Sequence, residues 1–453
     1  MILRPEELAT ATGGIWNGRG AAGPIRTDSR RLDPGAWFLA LRGDRFDGHD
    51  YLPHAAASGC AGAMGERAPK DWTLGFVQVQ DGLRALQDCA AFARRGFRGP
   101  VVGITGSAGK TTTRAMIGAV LGTTQRVHQT AGNLNNHIGL PLTLLDAPVD
   151  AQTWVVELGM SAPGEIQRLQ EICQPTLRII TNVAAAHLEG TGSLAGVARC
   201  KQELFDGARP GDVVLINDDD PRVSAMPLPV VPDLRVIRYG RSQACDVSLL
   251  TARVDPATLA TLAQLRTPRG TLFARLAAPG QHIALDALAA AAVGHALGLD
   301  PEQIAAGLGL WAPVGMRMRV DRIPGGPIVL NDAYNANPAS ARAALRTLAE
   351  LPGRRVALLG DMLELGEAEV AAHREIARLA GALGLELVGL AGPRMSAVRD
   401  ACVGAGELVV SPDAQTLGQA LVGRLGPGDV VLIKGSRGAR MERVLQAFAA
   451  EEA

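Results

Sequence analysis

Lysine is nearly missing from this chain: Lys70, Lys110, Lys201 and Lys434 are the only four in 453 residues. A lysine that falls inside a motif therefore carries unusual weight. Aromatic residues make up 4% of the chain, too few for a platform that stacks bases. Formal net charge is zero, so no basic field exists to attract nucleic acid or a membrane surface. No apolar run reaches the 18 or more residues of a membrane span, and Met1–Glu7 has no apolar signal-peptide core. A cytoplasmic location is expected. The six cysteines are scattered with no C-x-x-C pair, which excludes a disulfide framework or a zinc knuckle and leaves reduced, buried thiols.

What the chain does have is length and apolar content: 47% hydrophobic residues over 453 positions predict two or three well-packed domains. Its organising stretch is Val101–Thr113, V-V-G-I-T-G-S-A-G-K-T-T-T. An apolar strand runs into a turn holding Gly106, Ser107, Ala108 and Gly109, then into a helix opening at Lys110, Thr111, Thr112 and Thr113. Glycines let backbone amides converge on an anion, and the helix N-terminus adds partial positive charge. Lys110 is placed for the outer phosphates of a nucleotide and the Thr111 hydroxyl for Mg²⁺. The strict G-x-x-x-x-G-K-[ST] pattern misses once, because Ile104 stands at its first glycine.

Residues 1–98 read as a small α/β unit, 99–320 as a doubly wound, mostly parallel sheet, and 321–453 as a second, Rossmann-like α/β unit. Residues 240–280 read as an antiparallel extension of the middle sheet. In the first unit, Thr27-Asp28-Ser29-Arg30 and Asp47-Gly48-His49-Asp50 are either ligand-facing loops or plain turns and caps. In the middle unit, Gly132–Pro141 packs Asn133, Asn135, Asn136 and His137 into one loop. The strand Trp154–Glu157 ends in a carboxylate where a Mg²⁺-supporting acid belongs, or else in an acid paired with a local arginine. On spacing alone His187 reads as structural and Lys201 as a solvated helix lysine; Asp218-Asp219-Asp220-Pro221 reads as a helix cap.

Taken together, these blocks resemble the Mur ligase family over essentially the whole chain. They run in order through Thr27–Arg30, Phe46–His49, Gly103–Thr112, Gly132–Thr143, Glu157–Met160, Ala186–Glu189 and Lys201. Asp332–Pro338, Gly360–Gly366 and Lys434–Arg437 complete the series. The Asn-rich loop, Tyr334-Asn335-Ala336-Asn337-Pro338 and Lys434-Gly435-Ser436-Arg437 narrow the resemblance to the member that adds D-alanyl-D-alanine to a UDP-N-acetylmuramoyl-tripeptide. The alternatives are the ligase that adds the third amino acid, folylpolyglutamate synthetase, or a phosphate-loop switch protein that makes no bond.

The resemblance implies ATP-dependent amide formation through an acyl phosphate, by a monomer. It assigns Lys110 to the β/γ-phosphates, and Thr111 and Glu157 to one Mg²⁺. His187 and Lys201 go to a second Mg²⁺, with Lys201 carrying CO₂ as a carbamate. It puts Ser29, Arg30, Asp47 and His49 at the UDP end and Asn133, Asn135 and Asn136 at the muramoyl-peptide. Lys434 and Arg437 join them on the substrate side, and Asp286, Arg317 and Asp332 meet the nucleotide. Two departures stand out: Asp286 replaces the asparagine that meets adenine in the family, and Gly315-Met316-Arg317-Met318-Arg319 offers two arginines where the family has one.

Overall fold

The computed structural model describes residues 1–449, and its strands fall into three large sheets. The first has five strands, with Trp37–Leu39 and Gly62–Gly65 at its centre and an antiparallel edge at Ile15–Trp16. It is buttressed by the helix Gly82–Gly96, whose start is capped by the Asp81 carboxylate on the Arg84 N–H. The apolar face of that helix (Leu86, Cys89, Ala93) shares one core with Leu140, Leu144, Trp154 and Ile166 of the middle unit. The first unit is therefore packed against the second, not strung from it.

The middle sheet has nine strands. Val101–Thr105 lies between Thr153–Glu157 and Leu177–Ile180, all parallel. Val213–Asn217 and Arg235–Gly240 continue the parallel order outward. Val247–Val254, Thr261–Thr267 and Gly270–Leu276 supply the expected antiparallel extension. These strands are buried on both faces, which is why Val101, Val102 and Ile104 read as a continuous apolar run. One face is covered by the phosphate-loop helix, Lys110–Leu121, against the alanine-rich helix Gln281–Ala296. Small side chains at Ala284, Ala287 and Ala291 let the two helices meet closely while Met116, Ile117 and Val120 fill the remaining space.

The third sheet has six strands, parallel except for the edge strand Arg319–Arg322, which straddles the division expected at residue 320. Its centre is Ile328–Asp332, Asp429–Lys434 and Arg354–Gly360, so Asp332 and Lys434 sit side by side at the C-terminal strand ends. Asp220 does cap a short helix, accepting from the N–H groups of Arg222 and Val223. All six cysteines are buried and free, and no helix among the described residues is long and apolar enough to cross a membrane.

Beneath the site lies one buried ion pair. Arg178, fully enclosed, places Nη1 2.5 Å from Asp212 Oδ2 and donates Nη2 to the Gly207 carbonyl at 2.6 Å. Gly207 ends the helix Leu194–Asp206, so this arginine anchors the helix that carries Lys201. Removing one partner strands a buried charge and costs roughly 3–5 kcal/mol. Asp212→Ala should therefore lower the denaturant midpoint of the middle unit markedly. Arg178→Met combined with Asp212→Leu should cost less than that single change.

Candidate active site

The phosphate loop is built by two glycines that no other residue could replace. Gly106 has φ +154°, and a Cβ there would lie 1.8 Å from Thr181 Oγ1. Gly109 has φ +80°, and a Cβ there would lie 2.5 Å from Asp286 Oδ1. The neighbouring strand end fixes the loop: Asn182 accepts the Ala108 N–H at 2.9 Å and donates to the Ala108 carbonyl at 3.1 Å. The Ser107 hydroxyl donates to the Ala184 carbonyl at 2.9 Å. Thr113 is the first helix residue whose N–H finds a backbone carbonyl, that of Gly109 at 2.8 Å, leaving the amides of the first turn for an anion. Lys110 folds back to donate to the Gly106 carbonyl at 2.6 Å. Burial holds its pKa below the ordinary lysine value, against the pull of Glu157.

This loop forms one wall of a cleft of about 1670 Å³. Asn133, Asn135, Asn136, Glu157, His187 and Lys201 line it from the middle unit, and Arg317, Asp332 and Lys434 from the other side. Three of the four lysines thus meet in one space.

Glu157 is 1% exposed and makes the local arginine pairing that was one expectation for it. Its Oε2 accepts from Thr111 Oγ1 at 3.3 Å and from Asn135 Nδ2 at 3.5 Å. Its Oε1 lies 2.9 Å from Arg114 Nε, yet neither atom makes an aligned hydrogen bond. Glu157 is both the strand-end acid beside the phosphate loop and the partner of a local arginine.

Lys201 is not the solvated lysine its spacing suggests. It is 2% exposed and has no carboxylate within ion-pair range among the described residues. Burial, and then Lys110, push its pKa well below the ordinary value. The carboxylate two positions on is engaged elsewhere: Glu203 caps another helix, accepting from the N–H groups of Gly164 and Gln167. His187 sits at the cleft mouth with Nδ1 2.5 Å from Glu364 Oε2. Burial lowers its pKa. Among the described residues no three His, Cys, Asp or Glu side chains cluster as a ready metal site. Any Mg²⁺ held here would rest on a mixed set of Thr111, Glu157, His187 and a modified Lys201.

Of the two candidate arginines, Arg317 faces the cleft, its guanidinium 3.7 Å above the Tyr334 ring, while Arg319 pairs with Asp321 outside it. Lys434 Nζ lies 2.5 Å from Asp332 Oδ2 and donates to the Asn335 carbonyl. Asp332 also accepts the Met318 N–H at 3.2 Å. Other predicted residues lie outside the lining. Ser29 and Arg30 sit on an exposed turn of the first unit, with Arg30 paired to Asp28. His49 is spent on structure: Nδ1 contacts Asp47 at 2.6 Å and Nε2 accepts the Glu66 N–H at 2.9 Å. Arg437 pairs with Glu442 on the surface. Sequence reasoning gave no role to Arg114, Asn337, Glu364 or Tyr239, whose buried hydroxyl has no partner among the described residues. Only the quoted family blocks could have flagged Asn337 and Glu364.

Comparison with known proteins accords with this geometry. The model described as the Mur ligase middle domain matches residues 104–294. The Mur ligase, glutamate ligase domain matches 316–437, and the Mur ligase family, catalytic domain matches 24–92. The UDP-N-acetylmuramoyl-tripeptide–D-alanyl-D-alanine ligase of Escherichia coli strain K12 is 37% identical over 94% of this chain and 93% of its own length. The chain belongs to the Mur ligase family. The Bacillus subtilis ligase of the same description is 34% identical over 93% of this chain and 92% of its own. MurF from Acinetobacter baumannii superposes with a TM-score of 0.89 at 30% identity, covering 99% of both chains. MurF ligase from Thermotoga maritima, solved with ADP, gives 0.84 at 27%, covering 95% of this chain and 97% of that one. A folylpolyglutamate synthase from Mycobacterium tuberculosis shares the fold at 20% identity, with a TM-score of 0.61 over 82% of this chain and 94% of its own.

The departure at Asp286 is measurable. Its carboxyl accepts from Thr113 Oγ1 at 3.0 Å, and burial pushes its pKa up to about 7. The unfolded chain ionises this group near 4, so between about pH 4 and pH 7 the folded chain holds the extra proton. Stability contributed by this group is intact below that window and is lost as pH rises through it. Asp286→Asn should remove that loss. In thermal unfolding, its Tm should exceed wild type by more at pH 8 than at pH 5.

Proposed function

We propose that this enzyme joins D-alanyl-D-alanine to UDP-N-acetylmuramoyl-tripeptide at the expense of ATP, in the cytoplasm, where such soluble nucleotides are made. The observation that carries the reading is the single cleft in which the phosphate loop, the Asn-rich loop and the Asp332–Lys434 pair converge, in a chain whose full-length relatives carry that ligase name. One chain supplies every group, so a monomer suffices. The proposed domains are 1–98 for the UDP-sugar, with Ser29, Arg30 and Asp47 at that end, 99–320 for ATP and 321–453 as the closing unit.

ATP takes the amides of the first helical turn and Lys110 for its phosphates, with Arg317 near the junction. The tripeptide carboxylate attacks the γ-phosphorus, the bond to the leaving ADP oxygen breaks, and an acyl phosphate forms. The amine of D-alanyl-D-alanine then adds to the acyl carbon, phosphate departs, and the nitrogen gives up a proton to complete the amide. Asn133, Asn135 and Asn136 face the peptide. Lys434 borders the acceptor side, and Asp286 and Asp332 meet the nucleotide. Positioning and charge neutralisation supply most of what such a transfer needs. Thr111, Glu157, His187 and modified Lys201 would hold Mg²⁺, which would neutralise charge building on the phosphates; the unaligned Glu157 Oε1 fits that use.

Lys201 fits a carbamate because it is enclosed, carries no counter-carboxylate and is pressed towards its neutral form. The neutral amine adds to CO₂, forming an N–C bond and releasing a proton, which turns a repelled cation into an oxygen ligand.

Two assays test this. ADP release should be slow with either substrate alone and fast with both UDP-N-acetylmuramoyl-tripeptide and D-alanyl-D-alanine. Use of glutamate as acceptor in place of the dipeptide would point to another ligase. Lys201→Ala should lose at least 100-fold in turnover, about 3 kcal/mol of transition-state stabilisation, and millimolar acetate should restore part of it. Full activity in that variant would remove the carbamate from the mechanism.

A further inference from the structure

Glu364 has no assigned part in the reaction, yet it is the outermost link of a hydrogen-bonded circuit that returns to the phosphate loop. Both it and His187 are non-glycine residues in the left-handed region, at φ +62° and +56°. Such backbone strain persists only where surrounding contacts impose it. Here the two strained residues face each other across the junction of the middle and C-terminal units. The Leu188 N–H donates to the Glu364 carbonyl at 3.0 Å, and His187 Nδ1 meets Glu364 Oε2 at 2.5 Å.

The segment carrying Glu364 is held rigidly to its own unit. The Leu363 N–H donates to Ser436 Oγ at 2.9 Å, and the Met362 N–H to His373 Nε2 at 2.9 Å. The Ser436 hydroxyl in turn donates to the Ala336 carbonyl at 3.1 Å. The next residue, Asn337, donates to the Ser107 carbonyl at 3.1 Å. Ser107 also holds Ala184, three positions before His187. From phosphate loop to C-terminal unit, and back through the Leu188 N–H on the Glu364 carbonyl, each step is a hydrogen bond of ordinary length or runs along the chain.

We propose that Glu364 is the positioning residue for His187: it holds the ring with Nδ1 towards the rim and Nε2 towards the reacting groups, and it does so only when the junction is closed. A carboxylate can only accept, so Nδ1 must carry the proton, and a neutral ring keeps its lone pair on Nε2. His187, Lys110 and Lys201 line one cleft, while Glu364 lies outside that lining with its side chain 59% exposed. The inference rests on the reading that His187 works at the reacting centre.

The test is the tautomer of His187 in ¹⁵N-histidine-labelled protein with a non-hydrolysable ATP analogue, its signals identified by their loss in His187→Ala. Wild type should show the Nδ1–H form. Glu364→Gln should keep it, because the glutamine carbonyl accepts the same bond, and Glu364→Ala should shift to the Nε2–H form preferred by free imidazole. In turnover, Glu364→Ala should lose about 10–100-fold in kcat with KM for ATP little changed, and Glu364→Gln should stay near wild type. An Nδ1–H ring that survives in Glu364→Ala, or one never seen in wild type, overturns the proposal. Normal ligation by His187→Ala would overturn it by another route, refuting the role of His187 while leaving the tautomer result to stand as a structural link.

Discussion

Asn337 donates its side-chain amide to the carbonyl of Ser107, 3.1 Å away, and that bond joins the unit that cradles phosphate to the unit that closes over it. The donor belongs to a well-ordered turn: Asn337 also caps the helix Pro338–Ala349 through its other side-chain atom, which accepts the Ser340 N–H. One residue thus sets both the start of a helix in one unit and the backbone of a catalytic loop in the other. Because the acceptor is the loop carbonyl and not a side chain, any shift of the C-terminal unit is felt directly by the backbone that would hold phosphate. The cleft lies between these units, which also meet through the Leu188 N–H on the Glu364 carbonyl and through a shared apolar core.

Charge gathers at this junction as well as hydrogen bonds. Lys110, Lys201, Arg317 and Lys434 line the cleft together with the carboxylates Glu157, Asp286 and Asp332, and Arg114 is paired with Glu157. Burial and mutual repulsion act on these cations in the same direction, lowering the pKa of Lys110, Arg114 and Lys201. A triphosphate entering such a space relieves the repulsion among these cations. The carbamate proposed for Lys201 would remove the one cation that a bound metal would oppose.

How much of this was legible from sequence depended on whether a signal was local. The phosphate loop could be read because strand, glycines and helix cap lie within thirteen residues, each constrained by its own backbone geometry. The parallel part of the nine-stranded sheet could be read because strands such as Val101–Thr105, Thr153–Glu157 and Val213–Asn217 are largely apolar, although the short strand Val127–Gln129 and the strand Arg235–Gly240 carried too weak a pattern to name. Environment could not be read. Lys201 and Glu203 sit two apart on one helix, and only tertiary packing decides that the first is enclosed while the second caps a neighbouring helix. Arg114 stands four residues after Lys110, on the same face of the helix, and its pairing with Glu157 depends on a strand 40 residues away. His49 sits in a polar loop that the sequence leaves open between ligand contact and plain turn, and only the fold shows its ring nitrogens meeting Asp47 and the Glu66 N–H.

The distribution of the two basic residue types follows from the same physics. Among the described ion pairs the cation is an arginine nearly everywhere; Lys434 with Asp332 is the one that uses lysine. Where a positive charge only has to meet a carboxylate, a guanidinium serves, since it stays charged and offers a rigid fork. Lysine persists where that fork would fail. At Lys110 the group must lie along a tight loop and reach the Gly106 carbonyl, which a compact ammonium on a flexible stem can do. At Lys434 it fits between Asp332 and the Asn335 carbonyl in a space that leaves it 3% exposed. At Lys201 neither a fork nor a permanent charge could be tolerated, because no anion is there to meet it; only a side chain able to shed its proton can occupy that position. The scarcity that makes lysine informative in this sequence therefore has a structural basis: three of the four are where arginine chemistry does not work.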